Sequence, residues 1–248
     1  LVFVAALGYI ASLFLPPAPP YNDIPLEEQF SIKGAFSFLQ QFEHRGKILH
    51  PILAISWFWF LGAVFLTQFP TIVHQVIKGD ESLIALFLSI FTVGIALGSL
   101  FANHLLKGKI TLKFCAFSCA VMAFICFDFY LSLAHYQNEA PFTNILIFLQ
   151  NISNLHLVFD LIGLSFVGGI YIVPLYATLQ SEAPVQYRAR IIGLNNIFNS
   201  IFIIISSILT LLLFAIGFQI SELFIFLGGI GVLSSCYFYI QFNKKGGI

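Results

Sequence analysis

The chain has 248 residues, of which 59% are hydrophobic and 9% charged, with a formal net charge of zero and a mean hydropathy of +0.94. That is more apolar side chain than a water-facing surface can carry, so the excess must meet lipid. With no basic domain there is no electrostatic footprint for nucleic acid, and that class of partner is excluded.

Residues 1–15 are apolar, begin on Leu1 rather than Met, and carry neither a basic leader region nor a small-residue cleavage site. They read as the end of a helix cut from a longer chain. Pro16, Pro17, Pro19 and Pro20 terminate it, and 16–50 continues as a polar linker through Asp23, Glu27 and Glu28. Within that linker Phe36, Leu39 and Phe42 recur at helical spacing beside Gln40, Gln41 and Glu43. An amphipathic helix is expected over 30–43, either on the membrane surface or packed between two bundles. Runs able to cross about 30 Å of hydrocarbon follow at 51–77, 83–106, 111–134, 157–180, 191–217 and 220–242. Residues 142–150 suggest a short interfacial piece, and 243–248 form a tail.

Six spans force the connecting segments to alternate between two sides, so the positive charge tests the assignment. One side receives Lys33, Arg45, Lys47, Lys107, Lys109, Lys113, Arg188, Arg190, Lys244 and Lys245; the other receives Lys78 alone. The imbalance places the linker, the turn at 107–113, the loop at 181–190 and the C-terminus in the cytoplasm. All six histidines, at 44, 50, 74, 104, 135 and 156, fall near span ends, which argues against a His proton relay at mid-membrane.

Polar side chains within a span indicate which face meets protein or water. With Asn195 at zero on a helical wheel, Asn199, Ser206 and Thr210 fall at about 40°, 20° and 60°, and Asn196, Ser200 and Ser207 at about 100°, 140° and 120°. This sector is either a water-accessible cavity wall or a set of interhelical hydrogen bonds, and the cavity is the expectation for so many polar groups on one face. The first full span carries a weaker version: Ser56, Thr67, Thr71 and His74 on one line, with Trp57 and Gln68 beside it. Trp57 and Trp59 lie deeper than an interfacial belt, suited either to stacking on a substrate or to packing against lipid. Asp160, Tyr171 and Thr178 share a face of the span from 157. Gly168, Gly169 and Pro174 there are the ingredients of a bendable helix.

Asp128 and Asp160 are the acidic residues placed inside spans. An intramembrane carboxylate is a functional candidate because charge in hydrocarbon is costly. Asp160 reads either as a site or as a solvated helix end, and Asp128 has no accompanying polar stripe. Cys115, Cys119, Cys126 and Cys236 all sit in apolar runs, and no His or carboxylate joins Cys115 and Cys119 at ligand spacing, so no metal site is expected. Gly94, Gly98 and Ala102 recur every fourth residue, which lets another backbone approach closely.

Two loops carry a resemblance. Gly98-Ser-Leu-Phe-Ala-Asn103-His-Leu-Leu-Lys107-Gly-Lys109 and Glu182-Ala-Pro184-Val-Gln-Tyr-Arg188-Ala-Arg190-Ile-Ile-Gly193 resemble the loop motifs of the major facilitator superfamily. Asn103 stands where that family commonly has Asp. The resemblance implies an all-α integral membrane fold: a six-helix C-terminal bundle over 51–242, preceded by the end of the last helix of an N-terminal half and by the cytoplasmic linker. Gly98, Asn103, Lys107, Lys109, Glu182, Arg188 and Arg190 would then clamp helix ends as a conformational gate. The runs Ile55-Ser-Trp57-Phe-Trp59-Phe-Leu-Gly62-Ala-Val-Phe-Leu-Thr67-Gln68, Gly169-Ile-Tyr171-Ile-Val-Pro174-Leu-Tyr176-Ala and Arg188 through Asn196 resemble the lysophospholipid transporter branch. That branch includes transporter domains fused to acyl-glycerophosphoethanolamine acyltransferase and acyl-carrier synthetase domains.

What this implies is transport of a lysophospholipid such as lysophosphatidylethanolamine across a bacterial inner membrane for reacylation, with the spans from 51, 157 and 191 lining the path. Ser56, Trp57, Thr67, Gln68, Asp160, Tyr171, Asn195, Asn196 and Asn199 are the substrate-path candidates, with no catalytic residue and no cofactor. The partners would be membrane lipid, a missing N-terminal half and a fused or associated acyltransferase. A drug or metabolite transporter coupled to protons is an alternative of the same fold, and a seven-helix receptor an alternative of another class. A retinal protein is excluded because the lysines lie at or beyond span ends. An embedded enzyme is disfavoured because no HExxH, GxSxG or clustered acidic pair is present.

Overall fold

A computed structural model describes residues 2–14, 16, 45–136 and 145–243; the helix expected over 30–43 and the charged end of the tail lie outside them. Helix α1 (Val2–Ser12), with no buried side chain, belongs to a first unit over residues 1–41. The second unit contains α2 (Arg45–Thr71), continued by a π-helical turn (Ile72–Ile77), then α3 (Glu81–Leu106), α4 (Cys115–Ala134) and the short α5 (Ile145–Leu149). These are followed by α6 (Ile152–Glu182), a 3-10 turn (Val185–Tyr187), α7 (Arg188–Ala215) and α8 (Ile220–Asn243). Six helices in it are long and apolar enough to cross a membrane. They match the six expected spans, and no strand occurs among the described residues.

The boundaries differ where polar residues join a helix. α2 starts at Arg45 rather than at residue 51, because Gly46, Lys47 and His50 satisfy backbone geometry although they are too polar for an apolar run. α6 starts at Ile152, where the Asn151 side chain accepts the Ser153 amide at 2.9 Å. Asp80 caps α3 in the same way, accepting from the Ser82 amide at 3.0 Å and from its hydroxyl. That hydroxyl holds the Asp80 carboxyl below its ordinary value. At the other end of α3 the chain reverses through Lys107 (φ 49°) and Gly108 (φ 72°), a left-handed pair that suits a very short turn. The π-helical turn after Thr71 shifts the side-chain register, so the wheel position expected for His74 does not hold beyond that point.

α2 and α6 form the centre: 61% of the most apolar stretch of each is buried, against 28% in α3 and α7. The tightest contacts are α3 on α6 and α4 on α8. A Cβ on Gly94 would strike the Ser165 side chain, one on Gly98 the Phe166 carbonyl, and one on Gly169 the backbone of α3. The four-residue small-residue stripe is thus used for close approach. Gly228 and Gly231 lie in the same way against Ala123. Phe65, Phe129 and Phe224 knit α2, α4 and α8, with ring centroids 4.8 to 5.5 Å apart. Phe148 of α5, part of the interfacial piece expected at 142–150, is fully buried against Phe87.

Candidate functional site

The polar stripes of α2 and α7 meet in one seam. Ser56 donates to Asn199 Oδ1 at 2.9 Å, and both side chains are buried. One turn earlier on the same face, Asn195 is 1% exposed, and neither its Oδ1 nor its Nδ2 has a hydrogen-bond partner. Ser206 and Thr210 lie further along that face, buried and bonded back to Ile203 and Ser206 carbonyls. The expected sector of α7 therefore divides. Asn195, Asn199, Ser206 and Thr210 turn inward, whereas Asn196, Ser200 and Ser207 are exposed. The two exposed serines return to carbonyls of their own helix at 2.9 and 3.1 Å; the Asn196 side chain makes no such bond.

On α2, Thr67 is exposed and bonds back to Ala63 and Val64, while Gln68 is buried with Oε1 unpartnered. The two tryptophans part company. Trp57 is 4% exposed and stacks on Phe60, its Nε1 without a partner, and Trp59 is 41% exposed and donates to the Tyr176 hydroxyl at 3.2 Å.

The stripe on α6 faces α2 and α4. Tyr171 is fully buried and its hydroxyl donates to the Ala54 carbonyl at 2.9 Å, which makes it a strut between α6 and α2. Gly168 lies against Phe58 and Gly169 against α3. Both glycines serve contact there, and α6 runs unbroken through Pro174.

At the end of the bundle that carries the basic turns, Lys47 Nζ lies 3.4 Å from Glu182 Oε2 and ties the start of α2 to the end of α6. Lys47 was not among the sequence candidates, and no pairing rule links two residues so far apart in the chain. Lys107 and Lys109 are exposed, as are Asn103 and Arg188, and Gly98 belongs to the α3–α6 contact. Beside the ion pair is a cavity of about 130 Å³ lined by Lys47, His50, Lys113, Thr178 and Gln241. Thr178 is 1% exposed and its Oγ1 has no partner.

At the opposite end the structure corrects the absence of an acidic pair. Asp128 of α4 and Asp160 of α6 converge on His156, with His156 Nε2 at 3.1 Å from Asp128 Oδ2 and 3.8 Å from Asp160 Oδ1. Ser132 donates to the other oxygen of Asp160 at 3.1 Å. Asp160 thus faces α4, and Asp128 has polar company that comes from a neighbouring helix rather than from its own stripe. The i,i+4 spacing of His156 and Asp160 was the available sequence signal. Just outside, Tyr136 donates to Asn154 Oδ1 at 2.6 Å, and burial pushes its hydroxyl up to about 12.

Residues 1–207 match the family model described as Major Facilitator Superfamily. Neither the curated proteins nor the solved structures gave a match.

Proposed function

The chain belongs to the major facilitator superfamily and is a multi-pass secondary membrane transporter; on that premise we propose that it supplies the C-terminal half of an alternating-access carrier for lysophospholipid. The cargo would cross a bacterial inner membrane toward an acyltransferase that restores its second chain, with an N-terminal six-helix half closing the other side of the path. In this reading Asn196 of α7 and Thr67 of α2 face the path, and Asn195 and Asn199 of α7 with Ser56 and Gln68 of α2 are the buried polar seam that backs it.

The observation that carries it is the exposed strip Asn196, Ser200 and Ser207 on α7. A carboxamide facing hydrocarbon leaves its donors and acceptor unmet, at a cost of several kcal/mol on the scale of about 4–8 kcal/mol for transfer to a solvent that cannot hydrogen-bond. The strip therefore belongs opposite water, cargo or another bundle. A phosphate-bearing headgroup offers partners for it, and Trp59 with its neighbouring Tyr176 offers an aromatic surface for the acyl tail.

The test is uptake of radiolabelled lysophosphatidylethanolamine by the full-length protein in proteoliposomes. Asn196→Leu should lower uptake about tenfold, the equivalent of one hydrogen bond of about 1.4 kcal/mol, with unfolding temperature unchanged because the residue is exposed. Unaltered uptake would take Asn196 out of the path. A parent protein that ignores lysophospholipid but exchanges other amphiphiles for protons would overturn the cargo.

A further inference from the structure

The ends of α4 and α6 hold two carboxylates and one imidazole whose ligand atoms all lie within 4.8 Å of one another. Neither carboxylate pairs with a lysine or arginine among the described residues, and Asp160 is buried, with 7% of its side chain exposed. Two carboxylates this close, one out of water, repel each other unless a proton or positive charge stands between them, and an ion held by all three side chains would supply that charge. We propose that Asp128, His156 and Asp160 bind a divalent transition-metal ion of the zinc class, joining α4 to α6.

The donor set selects the metal. An imidazole nitrogen with two carboxylate oxygens suits zinc or its first-row neighbours, whereas magnesium and calcium take oxygen alone. The distances agree with it: bonds of about 2.0–2.1 Å in a tetrahedron put ligand atoms about 3.3 Å apart, between the 3.1 and 3.8 Å that separate His156 Nε2 from its two carboxylate oxygens. The spare oxygen of Asp160 is held by the Ser132 hydroxyl, the kind of outer hydrogen bond that orients a ligating carboxylate. The site is not sealed inside the bundle, since His156 is 51% and Asp128 39% exposed. Three protein ligands leave the fourth position for water. This site is separate from the α2–α7 seam and does not depend on what the transporter carries.

The experiment uses tag-free full-length protein in detergent, stripped with EDTA and then given Zn²⁺, Mn²⁺ or Mg²⁺ alone. One Zn²⁺ should bind per chain by calorimetry and raise the unfolding temperature, with Mg²⁺ doing neither. His156→Gln and Asp128→Asn, both at partly exposed positions, should abolish the binding, and Ser132→Ala should weaken it about tenfold or more. Asp160→Asn should act like His156→Gln; if it fails to fold, the two exposed variants decide. Absence of Zn²⁺ binding, binding that survives both exposed variants, equal binding of Mg²⁺, or a cluster that responds to pH alone would each overturn the proposal.

Discussion

Ser56 and Asn199 are both buried where no bulk water can replace a lost partner, so the bond between them is measurable as a coupling energy. Ser56→Ala and Asn199→Leu should each destabilise the protein by about 1 kcal/mol. A double-mutant cycle read by thermal unfolding should give a coupling of about 0.6 kcal/mol; additive losses would mean that the contact carries no energy. Asn196→Leu, at an exposed position about 100° round the helix from Asn195, should leave unfolding untouched. Tyr171→Phe should cost about 0.5–1.5 kcal/mol, since it removes the donor to Ala54 while keeping the ring that fills the core. The wheel located the polar sector of α7 because a period of 3.6 is written in the sequence. It could not divide that sector, because which part meets α2 depends on a helix far away in the chain. The same limit hid the Asp128–Asp160 convergence, which joins residues from two helices.

At the scale of helices, the spans and the small-residue stripe on α3 were legible because apolar length and four-residue spacing are local properties. The π-helical turn and the polar first turn of α2 were not, since no apolarity count registers them. Packing of α3 on α6 leads to a contrast between glycines. Gly98→Ala puts a methyl group into the Phe166 carbonyl and should destabilise by about 1–3 kcal/mol. Gly62→Ala meets open space and should stabilise by up to about 1 kcal/mol through helix propensity. Equal effects in thermal unfolding would refute the close-contact account. The cap of α3 adds a pH dependence. Because the folded Asp80 carboxyl sits below its ordinary value, its contribution is complete above the unfolded value of about 3.9 and is lost as pH falls through the lower folded value. Unfolding temperature should therefore drop more steeply below pH 4 in the parent than in Asp80→Asn, and parallel curves would remove the cap from the account.

For the bundle as a whole, the one-sided distribution of Lys and Arg could be read from the sequence, but the ties it makes could not. The expected clamp named Glu182, Asn103 and the basic residues of the two loops as a group, without pairing them; the structure pairs Glu182 with Lys47 at the start of α2. That bond joins the two central helices at one end of the membrane, where an alternating-access carrier must open and close. With Lys47 34% and Glu182 24% exposed, solvent screens the pair, and a contribution of about 0–1 kcal/mol is the appropriate scale. Such an energy barely alters global stability, yet about 1 kcal/mol shifts a two-state population about fivefold. Lys47→Glu and Glu182→Lys should thus each change the initial rate of cargo uptake by up to about fivefold with little change in unfolding temperature. The double swap, which restores opposite charges across the same two helix ends, should return the rate toward the parent. Raising salt should narrow the spread among the four proteins, because partly exposed charges separated from bulk by a few ångströms are screened within a Debye length of about 10 Å at 0.1 M. A double swap no better than the single reversals would show that the pair holds the helices in register without governing their opening.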